Sequence, residues 1–324
     1  MSARVPAAYP DGRAERDRWL LDRRGPRNPV DPARPVGAHL ETEPNEEGTP
    51  EAVAVIFLAN RECPWRCLMC DLWKNTLTET GPAGSIPAQI QGALEQLPPA
   101  RRIKLYNAGS FFDARAIPPV DYPAIAELVE GFDRLIVESH PALVGKACLR
   151  LRDLLAGELE VAMGLETIHP GVLPRLNKGM DLDGFEAAAR FLLRERIAWR
   201  AFVLLGLPFL SPEESLEWAC RSVEFALDRG AAAVSIIPTR SGNGALEALQ
   251  EQGEFSAAPI AALESAAAFG LRLEKGRVFA DLWDLERFRG CGGCFEERRE
   301  RLRAMNLSQQ VPPRTQCAAC GGES

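Results

Sequence analysis

Short apolar runs that alternate with helical patterns constrain the fold of this 324-residue chain more than any other feature. Six such runs occur, at residues 53–59, 103–106, 135–137, 159–165, 200–205 and 234–237. Patterns with helical spacing lie between them, at 87–97, 122–131, 142–155, 182–196 and 212–229. Short continuous apolar runs are typical of buried parallel strands, and strand–helix repetition predicts right-handed crossovers. The pattern therefore predicts an α/β fold of six βα units, either a partial (β/α)6 TIM-like barrel or a doubly wound sheet.

The segments outside this repeat have different patterns. A strand pattern at 36–43, followed by turn residues at 44–48, predicts a hairpin with the first apolar run. Residues 1–35 are rich in Arg, Pro and Asp and lack a sustained apolar period, which predicts a flexible or loosely docked tail. After residue 243 come two helical patterns and a strand pattern at 276–280. We divide the chain into the tail (1–35), the barrel (36–243), a C-terminal extension (244–290) and a four-cysteine metal-binding appendage (291–324).

Composition and charge exclude several classes of protein. The chain is 46% apolar with a formal net charge of −7, which is typical of a globular protein and gives no general attraction to nucleic acid. It contains no apolar run of about 18 residues, so no membrane span is expected. The N-terminal residues lack the apolar stretch of a secretory signal. We therefore expect a cytoplasmic protein, in which clustered cysteines indicate metal sites before disulfides.

The first cysteine cluster comes directly after the first apolar run. Cys63, Cys67 and Cys70 have the spacing C-x3-C-x2-C, which lets one loop fold around a single inorganic cluster. Three thiolates on a four-iron cluster leave one iron open for chemistry, as a catalytic zinc keeps an open position. A structural zinc site normally takes four protein ligands, and none of the three histidines lies in this loop. A redox C-x-x-C pair would leave Cys63 unused, so an iron-sulfur cluster is the favoured interpretation.

This loop and its position resemble the radical S-adenosylmethionine (SAM) superfamily, over about residues 50–240. The resemblance implies a 4Fe-4S cluster on Cys63, Cys67 and Cys70, whose open iron binds the amino and carboxylate groups of SAM. It further implies reductive cleavage of SAM to a 5′-deoxyadenosyl radical, which abstracts hydrogen from a substrate, and a flavodoxin- or ferredoxin-type electron donor. Met69 stands where the family usually has an aromatic residue beside the adenine. Whether SAM is consumed or regenerated stays open.

The resemblance also points to cofactor-binding positions after the second strand. The backbone of Asn107, Ala108, Gly109 and Ser110 stands where the family's glycine-rich motif meets the amino group of SAM. The acidic residue that usually accompanies this motif is missing. The alternative is an ordinary βα turn that needs glycine for its backbone conformation.

Four charged residues follow later strands. Glu138 and Glu166 come at the ends of the third and fourth strands, which makes them candidates for hydrogen bonds to the SAM ribose or the substrate, or else rim residues. Lys178 is a candidate for the SAM carboxylate or a phosphate, and its alternative is an exposed lysine before a helix. Arg240 is a candidate cation on the rim after the sixth strand, and its alternative is a surface arginine.

The segment from Glu166 through Asn177-Lys178-Gly179 to Gly206-Leu207-Pro208 narrows the resemblance. It is most similar to the branch that contains the Elongator catalytic subunit and the archaeosine synthase radical subunit, both of which modify tRNA. This similarity implies tRNA as a substrate, with a small molecule or a peptide as the open alternative.

The second cysteine cluster lies at the end of the chain. Cys291, Cys294, Cys317 and Cys320 form two C-x2-C pairs with a 22-residue spacer. Four thiolates supply the closed tetrahedral shell that structural zinc prefers, and they also suit an auxiliary iron-sulfur cluster. The spacer has a mixed-charge helical pattern at 296–303, which indicates a solvated face and supports RNA contact only weakly.

The sequence thus predicts a radical SAM enzyme with a second metal site. Two other classes stay open: a non-catalytic iron-sulfur electron-transfer protein, and a zinc-stabilised RNA-binding module. An electron carrier needs no SAM-sized site, and an RNA-binding module needs no iron.

Overall fold

A single sheet dominates the computed structural model, which describes residues 8–320. Its strands are β1 (Gly37–Pro44), β2 (Pro50–Leu58), β3 (Arg102–Asn107), β4 (Arg134–Ser139), β5 (Glu158–Glu166), β6 (Ala198–Leu205), β7 (Ala233–Pro238) and β8 (Arg277–Ala280). They lie in chain order; β1 pairs antiparallel with β2, and every later pair is parallel. Chain order without a reversal is the arrangement of a TIM-like barrel and differs from a doubly wound sheet. The predicted partial (β/α)6 barrel is therefore confirmed, as a curled half-barrel.

Most helices follow the parallel strands and cover the convex face of the sheet, whereas the first precedes the sheet and the last lies beside its two edges. They are α1 (Arg13–Leu21), α2 (Ser85–Leu94), α3 (Tyr122–Leu128), α4 (Lys146–Arg152), α5 (Leu182–Arg194), α6 (Pro212–Asp228), α7 (Ala245–Glu251), α8 (Ile260–Arg272) and α9 (Phe295–Ser308). Local chemistry sets their starts: the Asp181 carboxylate accepts the backbone N–H of Gly184 (2.8 Å) at α5, and Ser211 and Glu214 form a capping box at α6. None of the described helices combines the length and apolarity that crossing a membrane requires.

Alternation along the strands gives the sheet two different faces. In β6, Trp199, Ala201 and Val203 are buried in the apolar core under the helices. Arg200 and Phe202 lie between them and so point to the opposite, concave face. The convex face thus holds the hydrophobic core, and the concave face carries polar and aromatic side chains.

Ion pairs fill the concave face near the N-terminal ends of the parallel strands. Lys104 contacts the carboxylates of Glu41 and Glu43, while Arg200 contacts Glu160 and lies 3.3 Å from Glu43. Burial alone would raise the pKa of Glu43, but Arg200 and Lys104 hold it well below its usual range. Because these buried charges are all paired, this half of the concave face is closed by a polar plug.

The N-terminal segment contains a helix and packing contacts over the part that the structure describes, while the flexible or loosely docked tail at residues 1–35 stays a prediction. Helix α1 buries Trp19 and Leu20 in a small apolar cluster with Leu68 and Leu246. Two adjacent apolar residues among arginines produce no helical period, which is why the sequence pattern missed this contact. Residues 1–7 of the predicted tail lie outside the described part of the chain.

The C-terminal segment completes the sheet. Strand β8 pairs with β7 in parallel, so the sheet extends beyond the boundary predicted at residue 243. Helix α9 then packs against both β8 and β1 and lies across the opening of the half-barrel.

Side-chain amides from α9 replace a missing strand at the edge of β8. Asn306 accepts the N–H of Ala280 and donates to its carbonyl, both at 2.8 Å. Gln309 does the same with Val278, at 2.8 and 3.1 Å. Three residues advance the helix by about 4.5 Å and two residues advance the strand by about 6.6 Å, a difference that the flexible amide side chains bridge. Both amides thus satisfy free backbone groups of the strand edge.

We expect the double variant Asn306→Ala/Gln309→Ala to lower the free energy of unfolding by about 1–3 kcal/mol for each amide, because buried backbone groups lose their partners. Urea denaturation followed by circular dichroism measures this change. Arg303→Ala is the control, since Arg303 is exposed and pairs with Glu300 on the same helix. Equal midpoints for the double variant and the control would contradict the edge-capping role.

Candidate functional site

The loop with the first three cysteines (residues 63–70) follows β2 at the C-terminal edge of the parallel strands. Buried Asn243 donates to the carbonyl of Leu68 (2.7 Å) from the segment after β7. Asn177, which has a left-handed backbone (φ 57°), donates to the carbonyl of Arg66 (2.8 Å) from the segment after β5. Two asparagines from distant parts of the chain thus fix the course of the cysteine loop.

The three thiols of this loop are half-buried and share one environment. Burial raises the pKa of Cys63 and Cys67, and burial raises that of Cys70 to about 12; the Lys178 ammonium opposes the shift at Cys63 and Cys67. Among residues 8–320, the four C-terminal cysteines are the one group of potential ligands whose atoms all lie within 4.8 Å of one another. The sulfurs of Cys63, Cys67 and Cys70 are therefore spread more widely than ligands that close on a single ion.

A stacked ring pair packs the outside of the cysteine loop. The rings of Trp65 and His140 lie 3.7 Å apart between centroids with an interplanar angle of 6°. His140 Nδ1 accepts the N–H of Ala142 (3.1 Å), so Nε2 carries the proton and donates to the carbonyl of Lys178 (3.1 Å). Burial and Lys178 lower the pKa of His140 to about 4, which keeps the ring neutral.

The N-terminal segment closes the same loop from another side. Glu62 accepts Arg24 at 2.7 Å and Arg66 at 3.0 Å, and it also pairs with Arg27. Asp17 of α1 accepts the side-chain amide of Asn177 (2.7 Å). Residues 17–27 therefore belong to the framework of the cysteine loop, a role that their sequence did not indicate.

The predicted glycine-rich segment after β3 lies against the first cysteine. Gly109 has φ 142°, and a Cβ on it would lie 3.0 Å from the Cβ of Cys63, so the close approach requires glycine here. Ala108 is half-buried beside it, and the hydroxyls of Ser110 and Ser139 lie 3.1 Å apart. Asn107 is buried, and neither its Oδ1 nor its Nδ2 has a partner among the described residues.

Lys178 and Glu166 form a buried pair next to the cysteines. Lys178 contacts the Glu166 carboxylate and donates to the carbonyl of Gly164 (2.6 Å). Glu166 has a left-handed backbone (φ 64°) after an irregularity in β5, which is a strained position for a residue with a side chain. A Cβ on Gly164 would collide with both charged groups. Lys178 is thus not the exposed lysine of the alternative interpretation.

Glu138 is half-buried near this pair. Burial raises its pKa to about 8, with Lys178 opposing the shift and Glu166 adding to it. The carboxyl group is therefore largely protonated at neutral pH and can donate a hydrogen bond.

The structure gathers most, but not all, of the predicted cofactor-binding residues. Met69 is half-buried and packs against apolar clusters that contain Leu207 and Leu249. Arg240 pairs with Asp281 (2.7 Å) and donates to the carbonyl of Trp283, so its charge is balanced on the rim. The positioning residues Asn243, His140 and Gly164 were missed, because no local pattern marks a side chain that acts across the fold or a glycine that leaves room for a distant one.

The second cysteine cluster has the geometry of a single-ion site. The sulfurs of Cys291 and Cys317 lie 3.8 Å apart, as do those of Cys294 and Cys320. Four sulfurs in a tetrahedron at 2.3 Å from zinc are separated by about 3.8 Å. An iron-sulfur cluster contains several metal and sulfide atoms and separates its ligands further.

This cluster is tied to the barrel through α9. Arg298 donates to the sulfur of Cys294 (3.3 Å) and pairs with the carboxylate of Glu264 on α8. Arg301 reaches the other oxygen of Glu264 at 3.0 Å. The metal-binding cysteines and the helix that caps β8 therefore share one buried polar connection.

Comparisons with known proteins agree with this fold. No protein-family model matches the chain. It is 28% identical over 220 residues to the archaeosine synthase subunit beta of Methanosarcina acetivorans. The matched segment covers 63% of this chain and 62% of that protein. The chain spans less than two thirds of the length of the curated relatives that it matches.

Among solved structures, the chain is similar to methylornithine synthase (16% identity, 82% of this chain and 73% of that one, TM-score 0.53). It is also similar to Streptococcus suis SuiB bound to S-adenosylmethionine (13% identity, 72% of this chain and 51% of that one, TM-score 0.53). The half-barrel fold of this chain is therefore shared with these two proteins. The resemblance seen in the sequence is confirmed at the level of the fold.

We expect Glu138→Gln to remove part of the pH dependence of stability. The pKa of Glu138 is raised from 4.5 to about 8 in the folded chain, so the folded state binds more protons between these values. The stability that this group contributes is present below pH 4.5 and lost as pH rises through about 8. The apparent melting temperature should therefore fall less from pH 6 to pH 9 in Glu138→Gln than in the unmodified protein.

Differential scanning fluorimetry across pH measures this difference. Exposed Glu251 provides the matched control, and Glu251→Gln should follow the unmodified protein. Parallel pH curves for Glu138→Gln and the unmodified protein would contradict a protonated Glu138.

Proposed function

We propose that this chain is a radical SAM enzyme, with a 4Fe-4S cluster on Cys63, Cys67 and Cys70 and SAM bound beside it. The cluster and SAM, when bound, supply one-electron cleavage to methionine and a 5′-deoxyadenosyl radical that removes a hydrogen atom from the substrate. The observation that carries the proposal is the set of three half-buried thiols on one loop, at the C-terminal edge of a half-barrel. This edge is where enzymes with parallel strands in a barrel place their reacting groups.

The thiols fit a cluster better than a single ion. Their sulfurs do not all lie within 4.8 Å, which suits ligands that hold separate irons of one cluster. Burial favours the neutral thiols of Cys63, Cys67 and Cys70, so metal binding has to displace protons from them. Lys178 lowers the cost of the resulting negative charge at Cys63 and Cys67.

The residues around Gly109 fit the amino-acid part of SAM. The backbone there approaches Cys63 without a side chain, so the peptide groups of residues 107–110 lie beside this cysteine and would be available to SAM. The unpartnered amide of Asn107 offers a donor and an acceptor whose burial costs about 1–3 kcal/mol when unmet. We assign Asn107 to polar groups of SAM, with protonated Glu138 as a further donor.

Lys178 and Glu166 act as a fixed pair in this proposal. Lys178 is held by Glu166 and by the Gly164 carbonyl. Its ammonium group therefore stays near Cys67 whether or not a ligand is bound. We assign Lys178 to charge compensation at the thiolates and to the SAM carboxylate, and Glu166 to its orientation. Arg240 is already paired with Asp281 and is left out of this assignment.

The polar plug at the opposite end limits access to the site. With Glu43, Lys104, Glu160 and Arg200 filling the N-terminal half of the concave face, the substrate enters from the cysteine edge. A closed end also restricts the water that would compete for a reactive intermediate.

For the substrate class we propose tRNA. The support is the 28% identity to archaeosine synthase subunit beta, whose product name denotes a modified tRNA nucleoside. A low-potential donor of the flavodoxin or ferredoxin type would supply the electron. We also propose a cytoplasmic location, because a reducing compartment keeps the cysteines of both clusters available as metal ligands.

For the C-terminal cysteines we propose one structural zinc ion. The 3.8 Å separations equal the edge of a zinc tetrahedron, and all four positions are filled by thiols. Residues 291–320 would then be a zinc-stabilised unit that holds α9 in place.

We expect Cys67→Ala to lose cluster iron and all formation of 5′-deoxyadenosine from SAM and dithionite, with little change in the circular dichroism spectrum. Anaerobic reconstitution, iron and sulfide counting and chromatography measure these outcomes. Cys220→Ala is the control, because Cys220 is an isolated, half-buried cysteine on α6. Production of 5′-deoxyadenosine by Cys67→Ala would refute the cluster assignment.

We expect Cys317→Ser to lose one zinc per chain while its cysteine loop still takes up about four irons. Elemental analysis of the reconstituted protein distinguishes this result from an auxiliary cluster. The unmodified protein should contain about four irons and one zinc per chain. About eight irons and no zinc would overturn the zinc proposal while leaving the cysteine loop untouched.

A further inference from the structure

A continuous row of aromatic rings runs from the rim of the half-barrel into its concave face. Trp283 stacks on His39 (6.3 Å between centroids), and His39 stacks on Phe57 (5.8 Å). Phe57 then contacts Tyr106 (6.3 Å), and Tyr106 meets the edge of Phe202 (6.1 Å). All four separations lie in the range of aromatic pairs.

The rim end of this row is open to solvent, and the rings inside the curve of the sheet are partly exposed. Trp283 is 66% exposed, among the most exposed large apolar side chains in the described part of the chain. Phe57, Tyr106 and Phe202 are only half-buried, although they lie inside the curve of the sheet. Exposed aromatic surface of this extent is typical of a binding site.

The backbone holds Trp283 in its exposed position. Its N–H donates to Asp281 (3.0 Å), and its carbonyl accepts Arg240. The next residue, Asp284, has a left-handed backbone (φ 50°). The ring is thus presented on a braced turn after β8, so little conformational entropy is lost when a ligand stacks on it.

The middle of the row lies at the same edge as the cysteine loop. Phe57 is opposite Gly37 near the C-terminal end of β2, and Cys63 follows this strand. Lys74, just beyond the loop, contacts the carbonyl of Gly242, and Arg287 donates to the carbonyl of Ser241 (2.9 Å).

The charges on this rim leave a small positive excess. Arg240 and Arg287 pair with Asp281 and Asp284. No described carboxylate lies within ion-pair distance of Lys74, so its charge is available to a phosphate. The rim thus contrasts with the net negative charge of the chain.

We propose that Trp283, backed by the ring of His39, forms a stacking platform for a nucleobase of an RNA substrate, and that the ring row guides this base toward the cysteine edge. The inference rests on the proposed function and deepens it by naming the recognised part of the substrate. Bases of single-stranded RNA stack on aromatic side chains, while a cation such as Lys74 contacts the phosphate backbone. Half-buried Phe57 and Tyr106 provide further ring surface beyond the platform.

The test is fluorescence anisotropy of a labelled, unmodified tRNA transcript with the full-length, metal-reconstituted protein. Trp283→Ala should weaken binding about 5- to 150-fold, the effect of losing one stacked base. Trp283→Phe should retain most of the affinity. Trp218→Ala is the matched control, because Trp218 lies on the outer surface of α6 against His169, and it should bind as the unmodified protein does.

The salt dependence separates stacking from charge. Trp283→Ala should keep the slope of log K against log salt, because stacking releases no counterions. Lys74→Gln should reduce this slope by about 1. Unchanged melting temperatures exclude loss of folding as the cause.

Three results would overturn the inference: no tRNA binding by the unmodified protein, equal affinities for Trp283→Ala and Trp218→Ala, or a Trp283-dependent preference for an aromatic peptide over tRNA. The outcome is separable from that of the proposed function. Formation of 5′-deoxyadenosine without tRNA binding retains the radical chemistry and rejects the platform. Trp283-dependent tRNA binding without 5′-deoxyadenosine retains the platform and rejects the radical chemistry.

Discussion

The buried ion network on the concave face is the constraint on which the rest of this structure depends. A half-barrel has an inner surface that no helix covers, and Glu43, Lys104, Glu160 and Arg200 occupy its lower half. Burying any one of these charges without its partner would cost much free energy. The strands that carry the four side chains therefore have to stay in register, so that the ion pairs persist. The network thus fixes the curvature of the sheet and reserves the upper half for ligands.

The candidate site occupies the upper half of the concave face, which the ion network leaves open. Its strained and unmet features, the left-handed Glu166 and the unpartnered amide of Asn107, lie at the upper edge, whereas the buried charges of the lower half are held in ion pairs. Asn177, Asn243 and the N-terminal segment brace the cysteine loop from outside. Strained and unpartnered groups held in a rigid support are expected at a binding site, where the ligand supplies the missing partners.

The fold could be predicted from the sequence because short apolar runs and helical periods are local signals, and the cysteine spacing placed the loop after β2. The site could be predicted only in part. Lys178 was recognised as a candidate, but its pairing with Glu166 depends on a backbone irregularity that residue types do not reveal. The pairing of Arg240 with Asp281 joins segments that meet only in the sheet. Helix α1 escaped detection because two buried residues make no period.

The amides of Asn306 and Gln309 also give the folding of this chain an order in time. Strand β8 leaves the ribosome before α9, so its edge is bare until the last helix has been made and docked. An uncovered strand edge is a template for pairing with other chains. Arg298 of α9 donates to the sulfur of Cys294, so if the four cysteines bind zinc as proposed, the supply of metal during synthesis would influence how long newly made chains expose this edge. Metal scarcity would then act on the yield of folded protein before it acts on any chemistry at the cysteine loop.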